Sequence, residues 1–293
     1  MMADLETHHR DVGGGPPHSF RSPAAGDLDD TAIHAPEPVN APLMLHRWDS
    51  LTFVHWPLEP ADVARRLPAG LEVDTFEGAA WVGLIPFRLT IRPARGPRLP
   101  WVSTFLETNV RTYVRGPDGR HGIWFFSLDA ARLGAVVVAR RTYGLPYVWS
   151  QLRLERTGST LRYSGVRRGA KLPPAWYDLI VRVDPRSGPV EPDRLERFLT
   201  CRWRMYGPPV HGNAGFTTTQ VEHPPWPLWR ARTSDLRETM LAAAELARPI
   251  GDPVVHFSPG VDVRLARRRA VRTVRPVAGS SRGRAPEHRE PLA

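Results

Sequence analysis

Residues 104–147 read TFLETNVRTYVRGPDGRHGIWFFSLDAARLGAVVVARRTYGLPY, and this stretch decides the fold. Its side chains alternate between two faces from residue 104 to residue 114, with a period typical of a β-strand. One face carries threonine, leucine and valine, and the other carries Phe105, Glu107, Asn109, Arg111 and Tyr113. A Pro-Asp-Gly turn at residues 117–119 then predicts a reversal into a second strand over residues 122–130.

The strand over residues 122–130 is followed by a segment of mixed propensity. Alternation places Ile123, Phe125, Ser127 and Asp129 on one strand face, opposite Trp124, Phe126 and Leu128. Residues 131–143 predict a helix, which Gly144 ends as a left-handed cap and Pro146 prevents from continuing. Because three consecutive valines fit a strand equally well, a further strand at this point stays open.

The rest of the body reads as strands joined by short turns, with few helices. Strands are predicted over residues 48–56, 71–75, 79–90, 147–156, 160–168, 176–183, 216–221 and 261–265. Helices are predicted over residues 60–67 and 192–202, each opened by a proline. This pattern favours a single α+β domain over residues 41–265, built as an antiparallel β-barrel with a few helices.

Three long motifs carry a family resemblance. LETNVRTYVRGPDGRHGIWFFSLDA, ARRTYGLPY and HPPWPL resemble the YqjF-like domain-of-unknown-function family, and the resemblance extends over residues 45–262. That family brings no established activity. It is similar, more distantly, to acetoacetate decarboxylase, which implies a conical antiparallel barrel around a closed pocket. In those relatives a strand glutamate faces the pocket, and a lysine after a Gly-x-Pro segment forms a Schiff base with the substrate ketone.

This chain departs from the decarboxylase pattern at the lysine. Residues 144–147 read Gly-Leu-Pro-Tyr, so Tyr147 stands where the resemblance places the lysine. Schiff-base formation requires a primary amine, which tyrosine lacks. Lys171 is the only lysine of the sequence and lies in a proline-flanked segment that reads as a loop. Decarboxylation through an imine is therefore excluded at Tyr147, and rescue by Lys171 is not expected.

The polar face of the first strand supplies the main site candidates. Such a face can simply meet water, but Phe105 and Tyr113 bracket it, and large aromatic side chains favour an inward face. The resemblance also puts Glu107 at the position of the pocket glutamate. We therefore predict Glu107 as a proton-transfer residue, Arg111 as an anion anchor and Asn109 as a substrate contact. A buried carboxylate beside a guanidinium is expected to stay ionised.

Four further residues are candidates with open alternatives. Asp129 precedes the predicted helix, which favours an N-terminal cap, although it can also contact substrate. The Tyr147 hydroxyl is a pocket donor or is simply packed. His223, held in a proline-rich segment, is a candidate proton carrier. A metal site of His55, His223 and Glu107 is conceivable but no ligand spacing supports it, so neither a metal nor a cofactor is predicted.

The two ends of the chain differ from the body in composition. Residues 1–40 hold seven acidic and two basic side chains, and residues 264–293 hold nine arginines and two glutamates, within a net charge of +10. Because neither end has a face to bury, residues 1–40 and 266–293 are predicted to be disordered. The basic tail carries no nucleic-acid-binding signature, so nucleic-acid binding is not expected.

The remaining composition limits compartment and chemistry. Cys201 is the single cysteine, which excludes an internal disulfide. The sequence has no apolar run of about twenty residues, so a cytoplasmic protein without membrane insertion is expected. Whether the chain forms a homo-oligomer stays open.

These observations predict a protein that binds a small organic acid or carbonyl compound in a closed barrel pocket. One version is an enzyme of lyase or hydrolase type without a Schiff base, which uses Glu107 or His223 in proton transfer. A non-catalytic ligand-binding or sensor protein is the first alternative. An interaction module that works through the arginine-rich tail is the second.

Overall fold

The structure is a computed structural model that describes residues 32–95, 104–168, 173–209 and 215–271. Strands dominate these ranges, and the few helices are short, which confirms the predicted α+β class. The strands are β1 (Met44–Leu58), β2 (Glu72–Val73), β3 (Thr75–Phe76), β4 (Ala79–Pro93), β5 (Thr104–Arg115), β6 (His121–Ala130), β7 (Tyr147–Thr157), β8 (Thr160–Arg167), β9 (Trp176–Val183), β10 (Arg204–Gly207), β11 (Phe216–Glu222), β12 (Trp229–Glu238), β13 (Val254–Leu265) and β14 (Arg269–Val271). The helices are α1 (Pro60–Ala64), α2 (Leu133–Tyr143), α3 (Arg194–Thr200) and α4 (Met240–Ala243). None of these four helices is long and apolar enough to cross a membrane.

The strand pairings close into two barrels that share a wall. The nine-strand barrel runs in the order β6-β7-β8-β9-β12-β13-β1-β4-β5 and closes where β5 pairs with β6. The seven-strand barrel consists of β1, β4, β5, β6, β10, β11 and β13, and it closes through the pairing of β11 with β13. The five strands common to both barrels form the shared wall. The structure therefore confirms the predicted barrel and adds a second closed circuit to it.

Shared strands are buried on both faces, as strand β5 shows. Val110 packs into the core of the nine-strand barrel with Tyr163 of β8 and Leu179 of β9. Phe105 and Tyr113 belong to the core inside the seven-strand barrel. The predicted alternation of β5 thus separates two cores rather than a core from water, and its polar face points into the seven-strand barrel.

Strand β6 contains a bulge that the sequence analysis missed. Val110 of β5 pairs with Ser127, but Arg111 pairs with Phe125, so β6 carries one extra residue at this point. A one-residue insertion moves all following side chains to the opposite face. Ser127 and Asp129 therefore do not share the face of Phe125, and the prediction that they would was wrong.

Helices α2 and α3 fit their sequence signals. Gly144 ends α2 with a φ of 65°, as predicted. Helix α3 begins with a capping box, in which Asp193 accepts from the Glu196 amide and the Glu196 carboxylate accepts from the Asp193 amide. Its buried face inserts Leu199, together with its aromatic neighbour Phe198, into the core of the seven-strand barrel.

Both ends of the described chain make contacts beyond the predicted domain limits. Residues 32–40 were assigned to the disordered N-terminal segment, yet the Val39 side chain is buried and its amide donates to Glu222 at 2.6 Å. The Trp203 indole donates to the Ala32 carbonyl at 3.0 Å. At the other end, β14 pairs with β11 beyond residue 265. The packed region thus extends further than residues 41–265.

Candidate functional site

The polar row of β5 lies inside the seven-strand barrel. Glu107, Asn109 and Arg111 are 3%, 5% and 7% exposed, so this face does not meet water. Each follows the previous one by two residues, which spaces them along a single strand face. Burying an amide, a carboxyl and a guanidinium is costly unless each is paired. The pairing of each group therefore decides what the barrel interior can do.

Arg111 is buried without a carboxylate partner. Its Nη2 atom donates to the Leu199 carbonyl at 3.0 Å and to the Tyr113 hydroxyl at 3.2 Å. Its Nε atom has no hydrogen-bond partner within the described ranges. Its Cζ atom lies 5.5 Å from the centroids of both Phe53 and Tyr113. Two neutral oxygens and two aromatic faces leave the positive charge uncompensated, so the barrel interior favours an anion.

Glu107 is protonated over most of the neutral range. Burial raises its pKa to about 8, the charge of Asp129 adds to this rise, and a hydrogen bond from Tyr147 opposes it. Its Oε2 atom has no partner among the described residues. The expectation that Arg111 would keep Glu107 ionised was wrong, because the described contacts include no ion pair between these two side chains. Glu107 is instead a neutral acid at pH 7.

Tyr147 is held against Glu107 by the end of α2. It is the first residue of β7, its side chain is buried, and its hydroxyl hydrogen-bonds the Glu107 carboxyl. Its backbone carbonyl accepts from the Arg140 Nε atom at 2.7 Å, which ties the strand to the last turn of α2. A phenol thus stands at the predicted lysine position. Lys171 lies outside the described residues.

Asp129 belongs to a different network from the β5 row. Its two carboxylate oxygens accept from Arg167 at 2.9 and 3.1 Å, from Ser150 at 2.7 Å and from Ser127 at 3.0 Å. The prediction of a helix cap was wrong, because α2 begins at Leu133 with Arg132 as its N-cap residue and has no side-chain cap. The β6 bulge explains the placement, since it turns Asp129 away from the seven-strand barrel.

His223 lies among aromatic rings near Arg111. Its Nδ1 atom donates to the Pro224 carbonyl at 2.7 Å, and its ring centroid lies 4.5 Å from that of Trp203 and 4.8 Å from that of Trp226. Burial lowers its pKa to about 4, the Pro224 carbonyl opposes this, and the charge of Arg111 lowers it further. His223 is therefore neutral at pH 7.

The sequence analysis missed a network around the Tyr113 hydroxyl. This oxygen lies 2.6 Å from His55 Nε2 and 2.7 Å from the Leu199 carbonyl, in addition to its contact with Arg111. Burial lowers the pKa of His55, and the charges of Arg111 and His256 lower it further. A signal was present in the sequence, because a glycine in mid-strand marks a close approach, and the His55 ring rests on Gly83.

A second buried arginine borders the same network. Arg202 pairs with Asp74 at 2.7 Å, and its guanidinium lies over the rings of Phe198 and Tyr113 at 4.2 and 4.9 Å. Asp74 also contacts His121 at 2.7 Å. Unlike Arg111, Arg202 has a carboxylate partner. Across the described ranges no group of three or more His, Cys, Asp or Glu side chains is placed to hold a metal ion.

Solved structures with low sequence identity share this architecture. The enduracididine biosynthesis enzyme MppR complexed with pyruvate matches with a TM-score of 0.59 at 16% identity, over 80% of this chain and 92% of that chain. An acetoacetate decarboxylase-like enzyme from Sphingomonas wittichii RW1 matches with a TM-score of 0.55 at 13% identity, over 82% and 97% of the two chains. The fold is therefore that of the acetoacetate decarboxylase-like barrels.

Sequence similarity assigns the chain within this fold. It is 34% identical over 224 residues to the uncharacterized protein YqjF of Bacillus subtilis (strain 168), which covers 75% of this chain and 89% of the relative. The model of domain-of-unknown-function family 2071, described as an uncharacterized conserved protein, matches residues 46–262. The chain belongs to this family, which confirms the resemblance of its motifs.

Proposed function

We propose that the seven-strand barrel binds a small organic acid or carbonyl compound, with Arg111 as the anion anchor. The observation that carries this proposal is the buried guanidinium of Arg111, which has no carboxylate partner in the described ranges and an unpartnered Nε atom. A ligand carboxylate would supply both the missing charge and the missing acceptor. Asn109, whose Oδ1 atom also lacks a described partner, is the adjacent substrate contact.

Glu107 gives this site a means of proton transfer without a Schiff base. With a pKa of about 8, its carboxyl group is a proton donor at neutral pH and becomes a base slightly above it. The hydrogen bond with Tyr147 orients the carboxyl, so Tyr147 supports the proton carrier instead of forming an imine. His223, neutral at pH 7, is the second carrier near the anion anchor. This arrangement supports lyase-like or hydrolase-like chemistry.

A non-catalytic binder is the second candidate, and the aromatic lining favours it. Trp226 packs edge-on against Phe53 at 5.2 Å and is stacked with Trp48 at 6.1 Å, so one side of the barrel interior is apolar. Asp129 is left out of the proposed substrate contacts because its oxygens are occupied. The interaction-module hypothesis concerns a tail that lies mostly outside the described residues, and it stays a prediction.

Isothermal titration with pyruvate, the ligand of the MppR complex, tests the anchor. We expect the wild-type protein to bind it and Arg111→Gln to weaken binding at least about tenfold, as for a lost charge-assisted pair. The matched control is Arg47→Gln, because Arg47 is 43% exposed on β1. Unchanged binding by Arg111→Gln would contradict the proposal.

Proton transfer is tested separately by following deuterium exchange into the pyruvate methyl group by NMR. The enzyme version predicts protein-dependent exchange that Glu107→Gln abolishes while pyruvate binding persists. Binding without exchange in the wild-type protein would favour the non-catalytic binder.

A further inference from the structure

Three residues form one row across the shared wall of the seven-strand barrel. His55 of β1 pairs with Gly83 of β4, and Gly83 pairs with Arg111 of β5. A Cβ atom on Gly83 would lie 2.8 Å from Cδ2 and 2.9 Å from Nε2 of His55, so this edge of the imidazole rests on the glycine. The opposite edge, which carries Nδ1, is therefore turned away from the strand.

The tautomer of His55 follows from the hydrogen bonds of Tyr113. The Leu199 carbonyl can only accept, so the Tyr113 hydroxyl, 2.7 Å away, donates its single proton there. The Tyr113 oxygen must then accept from His55 Nε2, 2.6 Å away, as it does from Arg111 Nη2. Nε2 consequently carries the hydrogen of the imidazole. Burial and the charge of Arg111 keep the ring neutral by lowering its pKa, so Nδ1 carries only a lone pair.

Two unpartnered atoms of opposite character thus flank Gly83. His55 Nδ1 is an acceptor and Arg111 Nε is a charged donor, and neither has a hydrogen-bond partner within the described ranges. His55 is fully buried, and Arg111 nearly so. Buried polar groups left unpaired in a folded protein mark positions that water or a ligand completes. A carboxylate satisfies Arg111 but leaves the lone pair of His55 unmatched.

We infer that the preferred ligand of the seven-strand barrel is a hydroxy acid, whose carboxylate binds Arg111 and whose hydroxyl donates to His55 Nδ1. This inference rests on the proposed function, since it refines the class of organic acid bound there. An oxo acid of the same skeleton brings only acceptors, and its carbonyl oxygen would face the lone pair of Nδ1. A site built to accept from a hydroxyl discriminates strongly against an analogue that lacks it.

Lactate and pyruvate provide the matched probes, because both are three-carbon carboxylates that differ in the C2 oxygen. We expect the wild-type protein to bind one lactate enantiomer at least about tenfold more tightly than pyruvate, in line with the cost of an unmatched buried acceptor. His55→Phe, which keeps the aromatic volume, should bring the ratio of the two affinities close to one. Arg111→Gln should weaken both ligands.

The tautomer can be measured without a variant, which guards against a misfolded His55→Phe protein. Nitrogen-15 NMR of the wild-type protein should show an unprotonated His55 Nδ1, with a signal that shifts on addition of lactate and not on addition of pyruvate. A protonated Nδ1, or pyruvate binding as tight as lactate, would overturn the inference while leaving the anion anchor intact. Binding of neither acid would overturn the inference together with the proposed function.

Discussion

The two barrels share five strands, yet they treat their polar groups in opposite ways. In the nine-strand barrel, Thr108 and Tyr177 hydrogen-bond at 2.6 Å, and Asp129 is paired with Arg167. On the seven-strand side lie all the buried side-chain atoms that lack a partner in the described ranges, namely those of His46, His55, Trp81, Glu107, Asn109, Arg111 and Arg202. One interior is finished as a core, and the other is left open to hydrogen bonding. The unpaired side is where we place the ligand.

Arg167→Met should produce the largest effect, because it breaks the comparison on the paired side. The Asp129 carboxylate would remain buried with only the hydroxyls of Ser127 and Ser150. Leaving a buried charge without its partner costs about 3–5 kcal/mol of unfolding free energy. Urea denaturation measures this loss, and a cost below about 1 kcal/mol would show that the pair is not structural.

Glu107→Gln should change how stability depends on pH. Glu107 has its pKa raised from 4.5 to about 8 in the folded protein, so the folded state holds a proton that the unfolded chain has released between those values. Its contribution to stability is therefore complete below pH 4.5 and is lost as the pH rises through 8. The wild-type protein should lose about 2–4 kcal/mol more than the variant over this range.

Urea denaturation at a series of pH values checks this difference, with Glu72→Gln on β2 as the exposed control. Parallel pH profiles for the wild-type protein and Glu107→Gln would contradict the protonated state of Glu107.

Two glycine substitutions compare the packing of the barrels directly. A Cβ on Gly165 would meet Tyr177 at 2.4 Å and Leu152 at 2.6 Å, inside the finished core. A Cβ on Gly83 meets only the tip of the His55 ring and Ile85, beside the unpaired groups. We expect Gly165→Ala to cost about 2–3 kcal/mol and Gly83→Ala about 1 kcal/mol, because overpacking is cheaper where a neighbour can move.

Gly134→Ala is the control for these substitutions, since nothing lies within 4 Å of its added Cβ. Thermal unfolding of the three variants gives the ranking. If Gly83→Ala proved the more costly, the interior around His55 would be as rigid as the nine-strand core.

Local pattern predicted the buried row of β5 because alternation is a property of one strand. The β6 bulge escaped because the Phe125-Phe126 pair fits either face of a strand equally well. Strand β12 was missed for a different reason, since Arg230, Arg232 and Asp235 interrupt its apolar residues with charge.

The state of Glu107 could not be predicted from its neighbours in sequence. Four residues of strand separate its Cα from that of Arg111 by about 13 Å, too far for a direct pair unless both side chains bend toward each other. Arg111 turns instead to the Leu199 carbonyl, which is 88 residues away in the chain. That contact depends on where α3 enters the barrel, which is a tertiary fact.

The unfolding free energy of Arg111→Met tests the central claim most directly. If the guanidinium serves a ligand instead of the fold, its removal discards a buried, uncompensated charge and loses only the bonds to Tyr113 and Leu199. The variant should then be as stable as the wild-type protein or more stable, as buried charges replaced by apolar groups often show. A loss of about 3 kcal/mol or more, matching that expected for Arg167→Met, would show that Arg111 is structural and would contradict the account.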